Sequence, residues 1–344
     1  MKIESDILSI ADRYSTFFID IYGVLFDGIR LFSKALSTLK ALKQAGKKII
    51  ILSNATQVSS EAKAGYFQRG MGKGIHYDEF ITSGEFLHYT IKNNPEKFSQ
   101  MMGKTSNTVK CMFMGNANIF KNTHLQKGDV DNADFLYVGI PRASYGAVRV
   151  DNLCDRNGVK VNMEDVLDSD WNELRDDQGR SGLAEFSFLL MHCLQLKKTL
   201  LVANPDVFAH MALDNFHRKF CPIITQGALG AYYERLGGNV VYFGKPYPGI
   251  YEYAKQIADS DGPMIMVGDT PWTDIAGAAS VGMDSALVVS TGIAGEFLQR
   301  MDSSLSIKEK CRKLFKEVAP KISKLSEGIY PNHFINRFSG IGLP

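Results

Sequence analysis

Apolar runs that stop abruptly at small or polar clusters recur along this chain. The first, Phe17-Phe18-Ile19, ends at Asp20, and Gly23 follows within a turn of chain. A continuously apolar run predicts a strand buried on both faces, as in a parallel sheet. Residues 33–46 predict a helix, with Ser33 as N-cap, a stripe of Leu36, Leu39 and Leu42, and Gly46 as the stop. Residues 48–52 predict a second buried strand, which runs into Ser53-Asn54-Ala55-Thr56. Strand, helix, strand at this spacing is a βαβ unit. Another helix is predicted over 59–70. Further strands are predicted over 109–114, 135–139, 199–203, 239–243, 264–267 and 285–289, with an apolar helix over 183–196. The expectation is an α/β protein with a doubly wound, Rossmann-like parallel sheet and a site at the strand ends.

Two stretches break the pattern. Residues 151–180 are polar and rich in Asp and Asn, and read as an insertion or an excursion at the edge of a second domain. Residues 306–324 show a helical pattern, with Ile307, Cys311, Leu314 and Phe315 on one side and lysines around them. Such a helix either docks on the core with a solvated basic face, or meets an acidic partner or an anionic membrane surface.

Length and composition narrow the class. The 344 residues suffice for one large or two modest domains. A formal net charge of +2 lacks the basic excess of a dedicated nucleic-acid binder. Cys111, Cys154, Cys193, Cys221 and Cys311 are scattered with no C-x-x-C pair, which favours reduced thiols in a cytoplasmic compartment over a disulfide framework or zinc site. Residues 1–13 carry acids without a long apolar core and do not read as a secretory signal. No uncharged apolar run approaches the roughly 18 residues of a membrane span. A soluble protein is expected.

Four expected strand ends carry polar groups: Asp20, Ser53-Asn54, Lys245, and Asp269 with Asp274. Singly each is weak, since an acid such as Asp20 is also a common turn former. Together they suit a phosphoryl group. The Ser53 hydroxyl, neighbouring N–H groups and the Lys245 ammonium can hold phosphoryl oxygens. Asp20 and Asp269 offer hard oxygen ligands for Mg²⁺, and a screened Asp20 can attack phosphorus to form an aspartyl-phosphate.

These pieces carry a resemblance. Asp20-Ile21-Tyr22-Gly23-Val24-Leu25, Leu52-Ser53-Asn54, Gly244-Lys245-Pro246 and Gly268-Asp269-Thr270-Pro271-Trp272-Thr273-Asp274 resemble the motifs of the haloacid dehalogenase superfamily. Asn204-Pro205-Asp206, Gly237-Gly238, Phe243 to Pro248 and Thr291-Gly292 echo its class IIA branch, whose α/β cap is inserted between the second and third motifs. The resemblance covers about residues 15–295, though little of the cap beyond its edges. It implies a catalytic core from residues 1–81 and 203–300 and a substrate-selecting cap from 82–202, while residues 301–344 read, from their own pattern, as a basic helical tail. It also implies roles. Asp20 becomes nucleophile and metal ligand, and Ser53, Asn54 and Lys245 become phosphate binders. Asp269 is a direct Mg²⁺ ligand, Asp274 steadies the metal site or Lys245, and the backbone carbonyl of Tyr22 completes the site.

One departure changes the expectation. Phosphatases of the superfamily usually carry a general acid/base aspartate two residues after the nucleophile, where this chain has Tyr22. Losing such a group typically costs about 10²–10⁴ in rate. One reading is a phosphatase biased to good leaving groups, such as aryl phosphates or phosphotyrosine, whose phenol has a pKa near 10. A small phosphorylated molecule or a phosphotyrosine protein is then the substrate, with Tyr22 stacking on it or occluding the site. A second is a catalytically weak binding or interaction protein. A third is a dehalogenase-like hydrolase, since haloacid dehalogenases also show Asp-x-Tyr-Gly. They need no magnesium, however, and this chain retains Asp269 and Asp274. Asp27 in the following loop, Arg142 with Tyr145, and His210 are further polar residues for which ordinary loop, surface or structural roles suffice.

Overall fold

The computed structural model describes residues 2–104, 109–114, 118–139, 141–214 and 219–339, without side chains for 210–214 and 219–220. In chain order the strands are β1 (Ile3–Glu4), β2 (Thr16–Ile19), β3 (Lys48–Ser53), β4 (Glu79–Thr82), β5 (Lys110–Met114), β6 (Gln126–Lys127) and β7 (Phe135–Val138). They continue as β8 (Thr199–Val202), β9 (Phe208–Asp214), β10 (Lys219–Ile224), β11 (Asn239–Tyr242), β12 (Met264–Gly268), β13 (Asp284–Val288) and β14 (His333–Ile335). The chain divides into two compact units. Unit 1 comprises residues 1–53, 59–82 and 245–344, and unit 2 comprises residues 54–58 and 83–244.

Unit 1 is built on a parallel sheet of order β1-β14-β13-β12-β2-β3-β4. Its central strands are apolar on both faces because helices cover both. Phe17, Ile19, Ile49, Ile51, Ile265, Val267, Ala286 and Val288 form one buried face with Leu39 and Leu42 of the helix Ala35–Gln44. From β2 the chain moves outward through β3 and β4, then restarts on the other side with β12, β13 and β14. The order therefore reverses between β2 and β12, the switch point at which open α/β sheets form their ligand crevice. Ile19 is in register with Ile51 and with Val267, so Asp20, Ser53 and Asp269 come out at the same edge of the sheet.

Unit 2 holds a second parallel sheet, β11-β8-β7-β5-β6, and an antiparallel hairpin of β9 with β10. Its core gathers Phe98, Val109, Cys111, Phe135, Tyr137, Leu201 and Phe243.

Several expectations need correction. The expected return to the core at residue 203 falls instead at Lys245. β8 and β11 hydrogen-bond to each other and, through β7, to unit 2. A buried apolar strand looks alike in either sheet, and only its pairing assigns it. Residues 301–339 are not an appended tail: β14 sits between β1 and β13. The helix expected over 306–324 starts at a Ser306–Glu309 capping box. It widens into a π-turn at Leu314–Val318, just ahead of Pro320, whose missing N–H opens the ladder. Ser33 is not an N-cap, since the helix Ala35–Gln44 begins after Lys34 in the left-handed region. Residues 151–180 are no polar excursion. Val150, Leu153, Met163, Val166, Leu167, Trp171 and Leu174 are buried, and Trp171 stacks on Tyr232 with ring centroids 4.0 Å apart. None of the five cysteines is in a disulfide. Among the described residues no helix is long and apolar enough to cross a membrane.

The C-terminal strand is tied at the far edge of the sheet. The Tyr14 hydroxyl donates to Asp284 at 2.7 Å and lies 2.8 Å from His333 Nε2. Burial, aided by Arg13, lowers the His333 pKa below its ordinary value. A depressed histidine contributes stability that is present above its unfolded pKa, near 6.5, and is lost as pH falls through the folded value. Urea unfolding at pH 7.5 and at pH 5 should therefore show a drop in stability on the acid side that His333→Gln reduces.

Candidate active site

Each acid at the switch point is placed by a different local device. Asp20 follows β2 directly, and its N–H donates to Val267 O at 2.9 Å. Gly23, with φ of +79°, turns the chain there. A Cβ on it would come within 2.2 Å of Asp269 Oδ2, so only glycine lets the two segments approach. Asp269 ends the β12 run. Its Oδ2 accepts the Ile293 N–H at 2.6 Å and its Oδ1 accepts the Thr270 hydroxyl at 3.2 Å. Thr291 closes the same corner by donating to Gly23 O at 2.6 Å.

Asp274 reaches the cluster through a π-turn, Pro271–Ile275. The wide turn folds its carboxylate back, so that Oδ2 accepts the N–H groups of Asp269 and Thr270, each at 3.1 Å. π-turns often mark functional sites for this reason. Lys245 lies 2 % exposed, and its ammonium donates to Asp20 Oδ1 and to Asp274 Oδ1, both at 2.7 Å. Sequence reasoning expected Lys245 at the end of a core strand. The strand before it belongs to unit 2, and Lys245 instead projects from the loop leading into the helix Pro248–Ala258.

One carboxylate oxygen each from Asp20, Asp269 and Asp274 lie within 4.8 Å of one another. Three carboxylates against one ammonium leave an excess of two negative charges in a buried space. Burial first, then Asp274 and Asp20, push the Asp269 carboxyl well above the usual carboxylate range. A small divalent cation with a preference for hard oxygen fits this donor set and offsets that charge. Asp274 is the most firmly held of the three, with Oδ1 accepting from Lys245 and Oδ2 from two backbone N–H groups.

Of the other expected residues, Ser53 is buried at the end of β3, beside β2. Asn54 belongs to unit 2, where its amide donates to Asp206 at 3.0 Å. Tyr22 is half exposed. Its ring meets Phe26 edge-on at 5.3 Å. Asp27 shapes its own loop by accepting the N–H groups of Ile29 and Arg30. Arg142 and Tyr145 lie in unit 2, and the His210 side chain lies outside the described residues. Sequence reasoning noted Thr291-Gly292 without a role. These residues form the loop that clamps Asp269, where Gly292, with φ of +64°, opens the helix that follows β13.

Comparison with known proteins bears on the family and the fold. Residues 17–123 match the family described as haloacid dehalogenase-like hydrolase, and residues 242–302 match the HAD-hydrolase-like family. The two matches contain every acid of the cluster and Lys245. Among solved structures, the fold is similar to a haloacid dehalogenase-like hydrolase from Brucella suis 1330, at 19% identity and a TM-score of 0.64, covering 98% of this chain and 100% of that one. It is also similar to a possible sugar phosphatase from Cytophaga hutchinsonii ATCC 33406, at 20% identity and a TM-score of 0.62, with all of both chains covered. A p-nitrophenyl phosphatase from Archaeoglobus fulgidus aligns at 20% identity and a TM-score of 0.55, over 94% of this chain and 97% of that one. No curated protein sequence matches the chain. Two stretches of the chain thus match haloacid dehalogenase-like hydrolase models, and its fold is that of the solved structures just named.

The charge imbalance makes a direct prediction. Asp269→Asn keeps an oxygen for the Ile293 N–H and removes one buried charge. It should raise the melting temperature of the metal-free protein and remove any further rise on adding Mg²⁺. A Mg²⁺-dependent rise that survives in the variant would remove Asp269 from the metal site.

Proposed function

We propose that this chain is a magnesium-dependent phosphomonoester hydrolase in which Asp20 is the nucleophile. The observation that carries this reading is the buried Lys245 ammonium, 2.7 Å from both Asp20 and Asp274, beside the third carboxylate of Asp269. Lys245 holds the Asp20 carboxylate in one orientation and adds positive charge where a phosphoryl group would sit. Ser53, at the same edge of the sheet, adds a hydroxyl donor. Mg²⁺, held by Asp20, Asp269 and the Tyr22 carbonyl and steadied by Asp274, supplies electrophilic stabilisation of phosphoryl charge when bound. A carboxylate oxygen of Asp20 attacks phosphorus, and the bond to the leaving oxygen breaks with its electron pair on that oxygen. Water then attacks the aspartyl-phosphate, loses a proton to solvent, and releases inorganic phosphate and Asp20. Unit 2, most of it inserted between Thr82 and Lys245, takes the part of the substrate-selecting cap.

Tyr22 shapes substrate preference. Its ring packs against Phe26, so position 22 offers an aromatic surface in place of a carboxylic acid. Leaving groups that depart without a proton are favoured, and aryl phosphates meet that condition.

The deciding assay compares para-nitrophenyl phosphate, phosphotyrosine and a sugar phosphate, with magnesium and with chelator. Turnover of the two aryl esters alone, lost with chelator, is the expected result. Silence on all three from folded protein that binds magnesium would favour the binding-protein reading. Asp20→Asn should lower turnover by at least about 10⁴-fold with the fold intact. Tyr22→Asp should raise the alkyl rate relative to the aryl rate by about 10²-fold or more. An unchanged ratio would show that position 22 does not set leaving-group preference.

A further inference from the structure

We propose that a basic cavity within unit 2 binds the phosphate group of a small molecule. The cavity, of about 400 Å³, is lined by Arg142, Tyr145, Arg149, Asn152, Gln178 and Arg180, with Asp176 beside them. Three guanidinium groups face one carboxylate, an excess of two positive charges, and neither Arg142 nor Arg149 pairs with a carboxylate among the described residues. Converging like charges repel, and a dianion in the cavity relieves that repulsion.

The walls are built to hold position. Arg180 stacks over the Tyr145 ring at 4.0 Å, and its Nε donates to Asp176 at 2.7 Å. Asp176 is in turn fixed by the N–H groups of Gln178 and Arg180, at 3.0 and 2.8 Å. The Tyr145 hydroxyl accepts the Gly182 N–H at 3.0 Å. A Cβ on Gly182 would come within 2.2 Å of that hydroxyl, so the approach requires glycine. Ala143 and Gly146 exchange backbone hydrogen bonds across the turn that carries Tyr145, and Arg149 bridges to Ile223. An aromatic platform and a buried carboxylate thus restrain one guanidinium before any ligand arrives, which reduces the ordering cost of binding. Arginine forks match phosphate oxygens bidentately, and the side-chain amides of Asn152 and Gln178 add neutral donors. The volume falls within the range of small-molecule sites and exceeds what a bare phosphate needs, so the ligand is a phosphate ester.

The ligand has two sources: a second phosphate on the substrate, or a separate phosphorylated effector. Binding is tested first, on the full chain with chelator present, by calorimetric titration with inorganic phosphate at constant ionic strength. One phosphate per chain is expected in the wild type. Arg142→Gln with Arg149→Gln, both at exposed positions, should weaken binding at least about tenfold with an unchanged circular dichroism spectrum. Should that pair fail to fold, Arg142→Lys with Arg149→Lys keeps the charge, loses the fork, and should still weaken binding measurably. No binding by wild type, or equal binding by the folded variants, overturns the proposal.

Kinetics then identify the source, and these arms rest on the activity proposed above while the titration does not. A rise in KM for a sugar bisphosphate in the glutamine pair, with para-nitrophenyl phosphate unaffected, assigns the site to the substrate. A change in kcat for para-nitrophenyl phosphate on adding inorganic phosphate, seen in the wild type only, assigns it to an effector.

Discussion

An ammonium group removed from water is costly unless carboxylates surround it, and Lys245 is 2 % exposed. Its two 2.7 Å bonds, to Asp20 and to Asp274, join the end of β2 to the π-turn after β12. The three residues come from distant parts of the chain, Lys245 lying 225 positions after Asp20. Much of unit 1 can be understood as the scaffold for that meeting. The parallel register of β2 with β3 and β12 brings the strand ends level, and the reversal of strand order opens the crevice above them. A break in either would leave an unpaired charge in the interior.

The same pair leaves a problem that the fold meets with backbone. Asp269 is buried beside two other carboxylates, and Lys245 answers only part of that charge. Gly23, Gly268 and Gly292 let main chain pack directly on the acids, since a Cβ at any of them would overlap Asp269 or Asp274. Backbone N–H groups of Ile293, Asp269 and Thr270 then point at carboxylate oxygens. Such fixed dipoles stabilise the charged form without closing the space to a cation. The donor set of such a cluster, three carboxylates close together, fits a small divalent cation.

Unit 2 follows a different logic. Its sheet is ordinary, but the stretch before the helix Gly182–Gln195 has short turns only, held by Trp171 on Tyr232 and by the Asp176 turn. Where unit 1 gathers negative charge, this stretch gathers arginines around a cavity. Polar composition concealed both features. Its buried apolar residues are spaced irregularly, because irregular turns impose no period, so neither helical nor strand periodicity could reveal them.

The chain's apolar runs determined the strands β2, β3, β12 and β13, and with them the side of the sheet on which Asp20, Ser53 and Asp269 emerge. That much was legible because a strand buried on both faces is written in consecutive residues. The motif residues around Lys245 and Asp274 were legible as types, since charged groups beside glycine and proline stand out in sequence. Tertiary structure alone decided which sheet β8 and β11 join, because their apolar pattern suits either and only hydrogen-bond partners distinguish them. It likewise decided that residues 301–339 complete unit 1, and that Thr291, Gly292 and Ile293 clamp Asp269. Those contacts are made by backbone groups that every residue carries, and a sequence does not record where they point.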